Sequence, residues 1–342
     1  MEWYLNLDGL EIDLSSYCNA GCPSCRRTHH IKHSEMDLVH FDVDVWKRLW
    51  TEDLKDIKIN KLVLNGNWGD PGMHKHLVEM LKYPPMHNPK IVLQMDTNGG
   101  MRDEKFWYDL AKVLDDNYHA STVRFGIDGI SNFTNNIYRV DVEYDKVIRN
   151  AQSFIDGGGF AQWRMTVFDH NVKQIHEARD IAHDMDFTTF RARKSYARII
   201  YDYEDNIRAT TYCYDSLPHD KIFFEDKFLS TAMQKRWNKG RRGYQQPPLL
   251  DSKCPWYRER RLQIDPWTNV WACCHISGEL LNRKNEDGFE ILQDSWNKYG
   301  FKFNSLKNGS LQKILENDYF KKEIDHAIGE KKWSPCRKMC NV

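Results

Sequence analysis

Three cysteines stand together near the start of the chain, in Cys18-Asn19-Ala20-Gly21-Cys22-Pro23-Ser24-Cys25. Thiolates are soft metal ligands, and spacings of three and two residues let one loop turn all three sulfurs inward. Gly21 and Pro23 suit a tight fold around an inorganic core. A closed zinc or iron–sulfur site takes four protein ligands, so three leave one metal position open to a small molecule. A zinc knuckle completed by His29, His30 or His33 is the rival use of the same residues.

A loop is only as good as what holds it. Leu10-Glu11-Ile12-Asp13-Leu14-Ser15 alternates apolar and polar residues, which predicts a strand over 10–16 with the cysteines just past its carboxyl end. That end carries the chemistry in α/β barrels. A helix follows from Phe41-Asp42-Val43-Asp44 through Leu54, then a second strand over Lys61–Asn65. The third strand, Lys90–Met95, runs into Asp96-Thr97-Asn98-Gly99-Gly100. The fourth covers 122–129, the fifth 162–167 and the sixth 188–193. A helix bearing Trp107, Leu110, Ala111 and Leu114 on one face, one over 144–155 and one ending at Met185 separate the later strands. Strand and helix alternating six times predict a parallel sheet.

The motifs after these strands carry a resemblance. Cys18-x3-Cys22-x2-Cys25 resembles the cluster motif of the radical S-adenosylmethionine (radical SAM) enzymes. Gly69-Asp70-Pro71 is similar to the last three positions of their Gly-Gly-Glu-Pro motif, with Asp for Glu. Thr97-Asn98-Gly99 follows the third strand as in the family. Gly126-Ile127-Asp128-Gly129 resembles Ser-Ile-Asp-Gly, with Gly126 where the family has Ser. The resemblance implies a partial (β/α)6 TIM-like barrel and a [4Fe–4S] cluster on Cys18, Cys22 and Cys25. S-adenosylmethionine would chelate the open iron, and its reductive cleavage would give a 5′-deoxyadenosyl radical that takes hydrogen from substrate. Gly69, Asp70, Asn98, Asp128 and Arg164 are the implied cofactor-binding positions; whether Asp70 itself or backbone carbonyls grip the ammonium stays open. Arg164, Arg191 and Arg193 alternate on strands, and one of them is expected to pair with a carboxylate of cofactor or substrate.

The remaining cysteines are Cys213, Cys254, the pair Cys273-Cys274, Cys336 and Cys340. Arg261–Asp265 and Val270–Ala272 form a hairpin about Pro266-Trp267-Thr268-Asn269, with thiols at both ends, and a helical segment over 310–327 precedes the last two cysteines. This stretch resembles the auxiliary-cluster domain of the SPASM/twitch branch, with Thr268 where the family has Gly. The resemblance implies one auxiliary [4Fe–4S] cluster on Cys254, Cys273, Cys336 and Cys340, with Cys274 as substitute for Cys273. Cys213 is a buried thiol, a spare ligand or a catalytic thiol. Trp256, Trp267, Trp271 and Trp333 lie near these cysteines.

The expected organisation is a core barrel over 1–200, a linker over 201–250 and a small α+β auxiliary-cluster domain over 251–342. The stretch 201–226 holds seven acidic residues against two basic, and 235–261, which runs from the linker into the last domain, holds nine basic against two acidic. Lys+Arg and Asp+Glu are 49 each, so bulk attraction to nucleic acid or an anionic membrane is not expected. Neither a secretory signal nor an apolar run near membrane length is evident, and nine cysteines without an export signal point to metal ligands in the cytoplasm. The resemblance implies an oxygen-sensitive oxidoreductase needing an electron donor such as flavodoxin or ferredoxin and acting on a small-molecule or peptide substrate. The barrel's early start leaves no room for a separate peptide-recognition domain ahead of it. A peptide- or protein-modifying maturase is one alternative; a non-catalytic zinc-binding module is the more distant one.

Overall fold

The computed structural model describes residues 6–25, 27–28, 36–194, 199–201, 207–210, 224–228, 254–279, 297–300 and 302–323. His29, His30, His33, Cys213, Cys336, Cys340, Trp333 and most of the two charged stretches lie outside those residues.

Six strands run parallel in sequence order: β1 (Gly9–Ile12), β2 (Lys61–Leu64), β3 (Val92–Thr97), β4 (Ala120–Gly126), β5 (Ala161–Val167) and β6 (Thr189–Lys194). The helices that cover them include α1 (Val43–Arg48), α2 (Glu104–Asn117), α3 (Asn132–Tyr138), α4 (Tyr144–Asp156) and α5 (Ile175–Asp184). A two-stranded pair, β7 (Ile199–Tyr201) with β8 (Ile207–Thr210), stands apart, and β9 (Glu225–Lys227) runs antiparallel to β6. β10 (Arg261–Ile264) and β11 (Val270–Trp271) make the expected hairpin. Its place is the surprise. β10 pairs parallel with β1, Leu10 against Leu262, so the hairpin continues the main sheet. The order is β11-β10-β1-β2-β3-β4-β5-β6-β9, and the sheet stays open, a partial barrel. Residues expected in a separate C-terminal unit thus contribute a strand to the core. Strand order is a long-range choice that local pattern does not encode.

β3, β4 and β5 show strict alternation of burial. Leu93, Met95, Val123, Phe125, Trp163 and Met165 pack outward under the helices. Gln94, Asp96, Thr122, Arg124, Gln162, Arg164 and Thr166 lie on the opposite, inner face. Trp107, Leu110, Ala111 and Leu114 of α2 are all buried, as their spacing predicts. Differences are local. β1 stops at Ile12 because the chain beyond it pairs elsewhere: Phe41 N–H donates to Leu14 O, and Ser16 N–H to Val39 O. The helix expected over 41–54 is α1 followed by a π-helical turn, Leu49–Asp53. The segment expected over 310–327 is a short helix, α6 (Leu311–Leu315), with a π-helical turn at Tyr319–Glu323. Among the described residues no helix is long and apolar enough to cross a membrane.

Candidate functional site

Four loops at the carboxyl ends of β1–β4 meet over one cavity of about 280 Å³. Cys18, Cys22 and Cys25 line it together with Gly69, Asp70, Asn98 and Arg164. Cys22 is buried; Cys18 and Cys25 are half-buried, and none of the six described cysteines is in a disulfide. Among the described residues no three His, Cys, Asp or Glu side chains are grouped so as to share a single metal ion. Burial, with the charge of Asp70 behind it, pushes the Cys18 thiol up to about 12. Burial likewise raises Cys22 to about 11, against the pull of Arg139. A cationic group in the cavity would favour the thiolate form of both sulfurs.

The loop after β2 is pressed against the cysteine loop. A Cβ on Gly69 would lie 2.4 Å from Ser15 O and 2.5 Å from Tyr17 O, so no other residue fits there. Asp70 N–H donates to Tyr17 O at 2.9 Å. The Asp70 carboxylate is already engaged: Oδ1 accepts from Gly72 N–H and Thr97 Oγ1, and Oδ2 from Asn98 N–H and Thr97 Oγ1, at 2.8–3.1 Å. Burial raises it to about 6 even so. Asp70 is therefore a staple between the loops after β2 and β3. Asn98 carries the connection onward, its Nδ2 donating to Asn19 Oδ1 at 2.9 Å and reaching Cys18 Sγ at 3.5 Å.

Asp128 is fully buried and does not line the cavity. Its Oδ2 accepts from Arg139 Nε at 2.7 Å, while Oδ1 accepts from Thr166 N–H. Arg139 does line the cavity, and its Nη1 reaches Cys22 Sγ at 3.9 Å. Its neighbours dock on the same loop: Gly21 N–H donates to Val140 O at 3.0 Å, and Ser24 Oγ pairs with Tyr138 Oη at 3.0 Å.

The wall on β3–β6 is basic. Arg124, Arg164 and Arg193 line the cavity around Asp96. Arg124 grips Asp96 with Nε and Nη2, and Arg164 Nη1 lies 3.5 Å from the same carboxylate. Arg164 Nε is buried without a hydrogen-bond partner. Burial and the neighbouring Arg124 pull Arg164 down to about 10, against the attraction of Asp96. Arg191 is half exposed and turns to Glu225 at 3.6 Å. Sequence reasoning missed Asp96, Arg124 and Arg139. The first two are found by continuing the inward alternation of β3 and β4; Arg139 offered no local signal, because its partners Cys22 and Asp128 meet it only in three dimensions.

Of the hairpin thiols, Cys254 and Cys273 are buried and Cys274 is half-buried. Cys254 precedes β10 and Cys273 follows β11, which places both at the end of the sheet where β1 begins. The three cavity cysteines follow the opposite end. Thr268 adopts φ +72, the left-handed conformation that explains why a glycine would be at home there.

No protein-family model and no curated protein matches the chain. Solved structures do. SuiB of Streptococcus suis bound to S-adenosylmethionine matches at TM-score 0.51 and 17% identity, over 85% of this chain and 65% of that one. SuiB bound to the precursor peptide SuiA matches at 0.57 and 15%, over 94% and 67%. anSMEcpe with bound AdoMet and the Kp18Cys peptide matches at 0.55 and 16%, over 97% and 87%. The chain thus spans about two thirds of the length of SuiB. At these identities the likeness establishes a shared fold, the open α/β barrel whose central parallel sheet presents this cavity.

Proposed function

We propose that the chain is a radical S-adenosylmethionine enzyme. The observation that carries the reading is the convergence of three cysteines from one loop on a cavity built by the loops after β2 and β3, within a barrel shared with structures that hold S-adenosylmethionine. The donor set fits a [4Fe–4S] cluster. Three cysteine sulfurs from one loop are the ligand type that iron–sulfur clusters take, with one metal position left open. When bound, the cluster and S-adenosylmethionine supply a reductively generated 5′-deoxyadenosyl radical.

The chain's own residues then have separable tasks. Cys18, Cys22 and Cys25 hold three irons. Gly69 brings backbone close to the methionine ammonium, and Asp70 acts behind it by fixing the loop, since its oxygens already accept three donors. Asn98 orients the Cys18 side of the loop. Arg164, with an unpartnered Nε beside Arg124, offers a carboxylate of cofactor or substrate a charged partner. Asp128 serves at one remove, through Arg139. Cys254 and Cys273 are half of the auxiliary ligand set, with Cys336 and Cys340 as the proposed remainder; hydrogen abstraction followed by electron transfer to that second cluster would make the enzyme an oxidoreductase. Peptide is the favoured substrate class, because SuiB and anSMEcpe are both described with peptides bound. A reduced flavodoxin or ferredoxin is the proposed electron source.

The test is 5′-deoxyadenosine release by anaerobically purified, reconstituted protein with reductant and S-adenosylmethionine, alone and with separate pools of peptides, small metabolites and RNA. A brown protein whose release is stimulated by the peptide pool is the expected result. Colourless zinc protein that releases none would overturn the assignment, and stimulation by metabolites alone would move the substrate class.

A further inference from the structure

Gly126 closes the inner face of β4, where the sequence resemblance leads one to expect serine. The space that a side chain would take there is occupied. A Cβ built on Gly126 would meet Arg139 Nη2 at 2.6 Å and Cζ at 3.0 Å. The guanidinium therefore lies over the bare backbone of β4. From that seat its Nε binds Asp128, which is fully buried and anchored by Thr166 N–H, and its Nη1 points to Cys22 Sγ at 3.9 Å. The segment is pinned on both sides: Tyr138 pairs with Ser24, and Val140 O accepts from Gly21 N–H. A fully buried carboxylate paired with a partly exposed arginine pays a desolvation cost that an apolar pair would avoid, so the pair's presence beside the cysteine loop asks for a reason.

We infer that Arg139 is a positioning residue that sets a fixed positive charge against the Cys22 sulfur, and that glycine at 126 is what admits it. The inference rests on the reading of Cys18, Cys22 and Cys25 as cluster ligands. A cation held near a ligating sulfur favours the reduced, more negative state of a cluster, and hydrogen bonds to the sulfurs act in the same direction. Asp128 Oδ2, accepting from Arg139 Nε at 2.7 Å, fixes the direction of the guanidinium.

The test is a potentiometric titration of the reconstituted full chain, followed by the electron paramagnetic resonance signal of the reduced cluster. Arg139→Gln should lower the reduced-to-oxidised ratio at a fixed poise roughly tenfold, the scale of one charge-assisted hydrogen bond. Arg139→Lys, which keeps the charge, should recover most of that ratio. Gly126→Ser retains Arg139 and Asp128 but displaces the guanidinium, so it should shift the ratio the same way as Arg139→Gln; it also covers the case in which Arg139→Gln loses iron. Iron-replete Gly126→Ser and Arg139→Gln proteins with unchanged ratios would overturn the inference while leaving the cluster reading intact. A wild-type protein that forms no cluster would overturn both.

Discussion

The two cysteine groups differ in what surrounds them. Around Cys18, Cys22 and Cys25, loops from four successive strands are tied by short hydrogen bonds: Asp70 to Thr97 and Asn98, Asn98 to Asn19, Arg139 to Asp128. At Cys254 and Cys273 the ties are backbone ones, Arg258 N–H donating to Cys254 O at 2.9 Å and Ser277 N–H to Cys273 O at 3.2 Å, while at the far end of the hairpin Asp265 accepts from Asn269 and from Trp271 Nε1. The first group sits past the carboxyl ends of the strands and the second at their start. A four-residue strand separates such ends by about 13 Å. Loops at the carboxyl end are free to vary and can hold a reactive ligand, whereas the hairpin is bound into the sheet through β1. The proposed reading accordingly assigns the chemistry to the first group, and electron acceptance or anchoring to the second.

Substituting the thiols separates the two most sharply. Cys22→Ala should reduce 5′-deoxyadenosine release to background. Cys254→Ala should leave that release while removing about half of the roughly eight iron expected for two cubes. Equal loss of release in both, measured alongside iron content, would erase the distinction.

A smaller effect is expected from the backbone beneath the first group. Gly69→Ala forces a methyl group onto Ser15 O and Tyr17 O and should cost about 1–3 kcal/mol, with weaker S-adenosylmethionine binding by calorimetry. An unchanged melting temperature would mean that the loop after β2 yields easily.

The hairpin has its own signature in pH. Burial raises the Asp265 carboxyl to about 6 from an ordinary 3.8. The folded chain then binds this proton more tightly than the unfolded chain, so stability from this group is greatest below about 4 and declines as pH rises to about 6. The decline is at most about 3 kcal/mol. Asp265→Asn should flatten that part of the denaturation profile; a profile identical to wild type would remove Asp265 from the account.

Least of all, Thr268→Gly should change stability by less than about 1 kcal/mol in urea unfolding. It relieves the φ of +72 but loses the buried contact of Thr268 Oγ1 with Ser305 Oγ. A large destabilisation would show that the hydroxyl, and not the backbone, determines this turn.

Much of the site was legible because its signals are local. Cysteine spacing and the polar inner positions of β3–β5 can be read along a few residues, whereas the close approach that requires glycine at 69 comes from Ser15 and Tyr17, far away in sequence. The motif leaves open whether Asp70 or backbone carbonyls face the ligand; the Asp70 oxygens accept from Gly72 on the same loop and from Thr97 and Asn98 on the next. Asp128, an implied cofactor-binding position, has its carboxylate paired with Arg139. Thr97 and Asn98 lie far from Asp70 in sequence, and Arg139 carries no local signal, so neither pairing could be deduced from the motif.

The sequence by itself determined the six-fold alternation, the identity of the three cavity thiols and the position of the hairpin turn, since periodicity and turn chemistry are set by adjacent residues. Tertiary structure alone decided that β10 joins β1, that Arg124 and Arg164 share Asp96, and that Arg139 lies in the space left by Gly126. Those choices depend on strand order, register and the volume between strands, which arise only when distant segments are packed together.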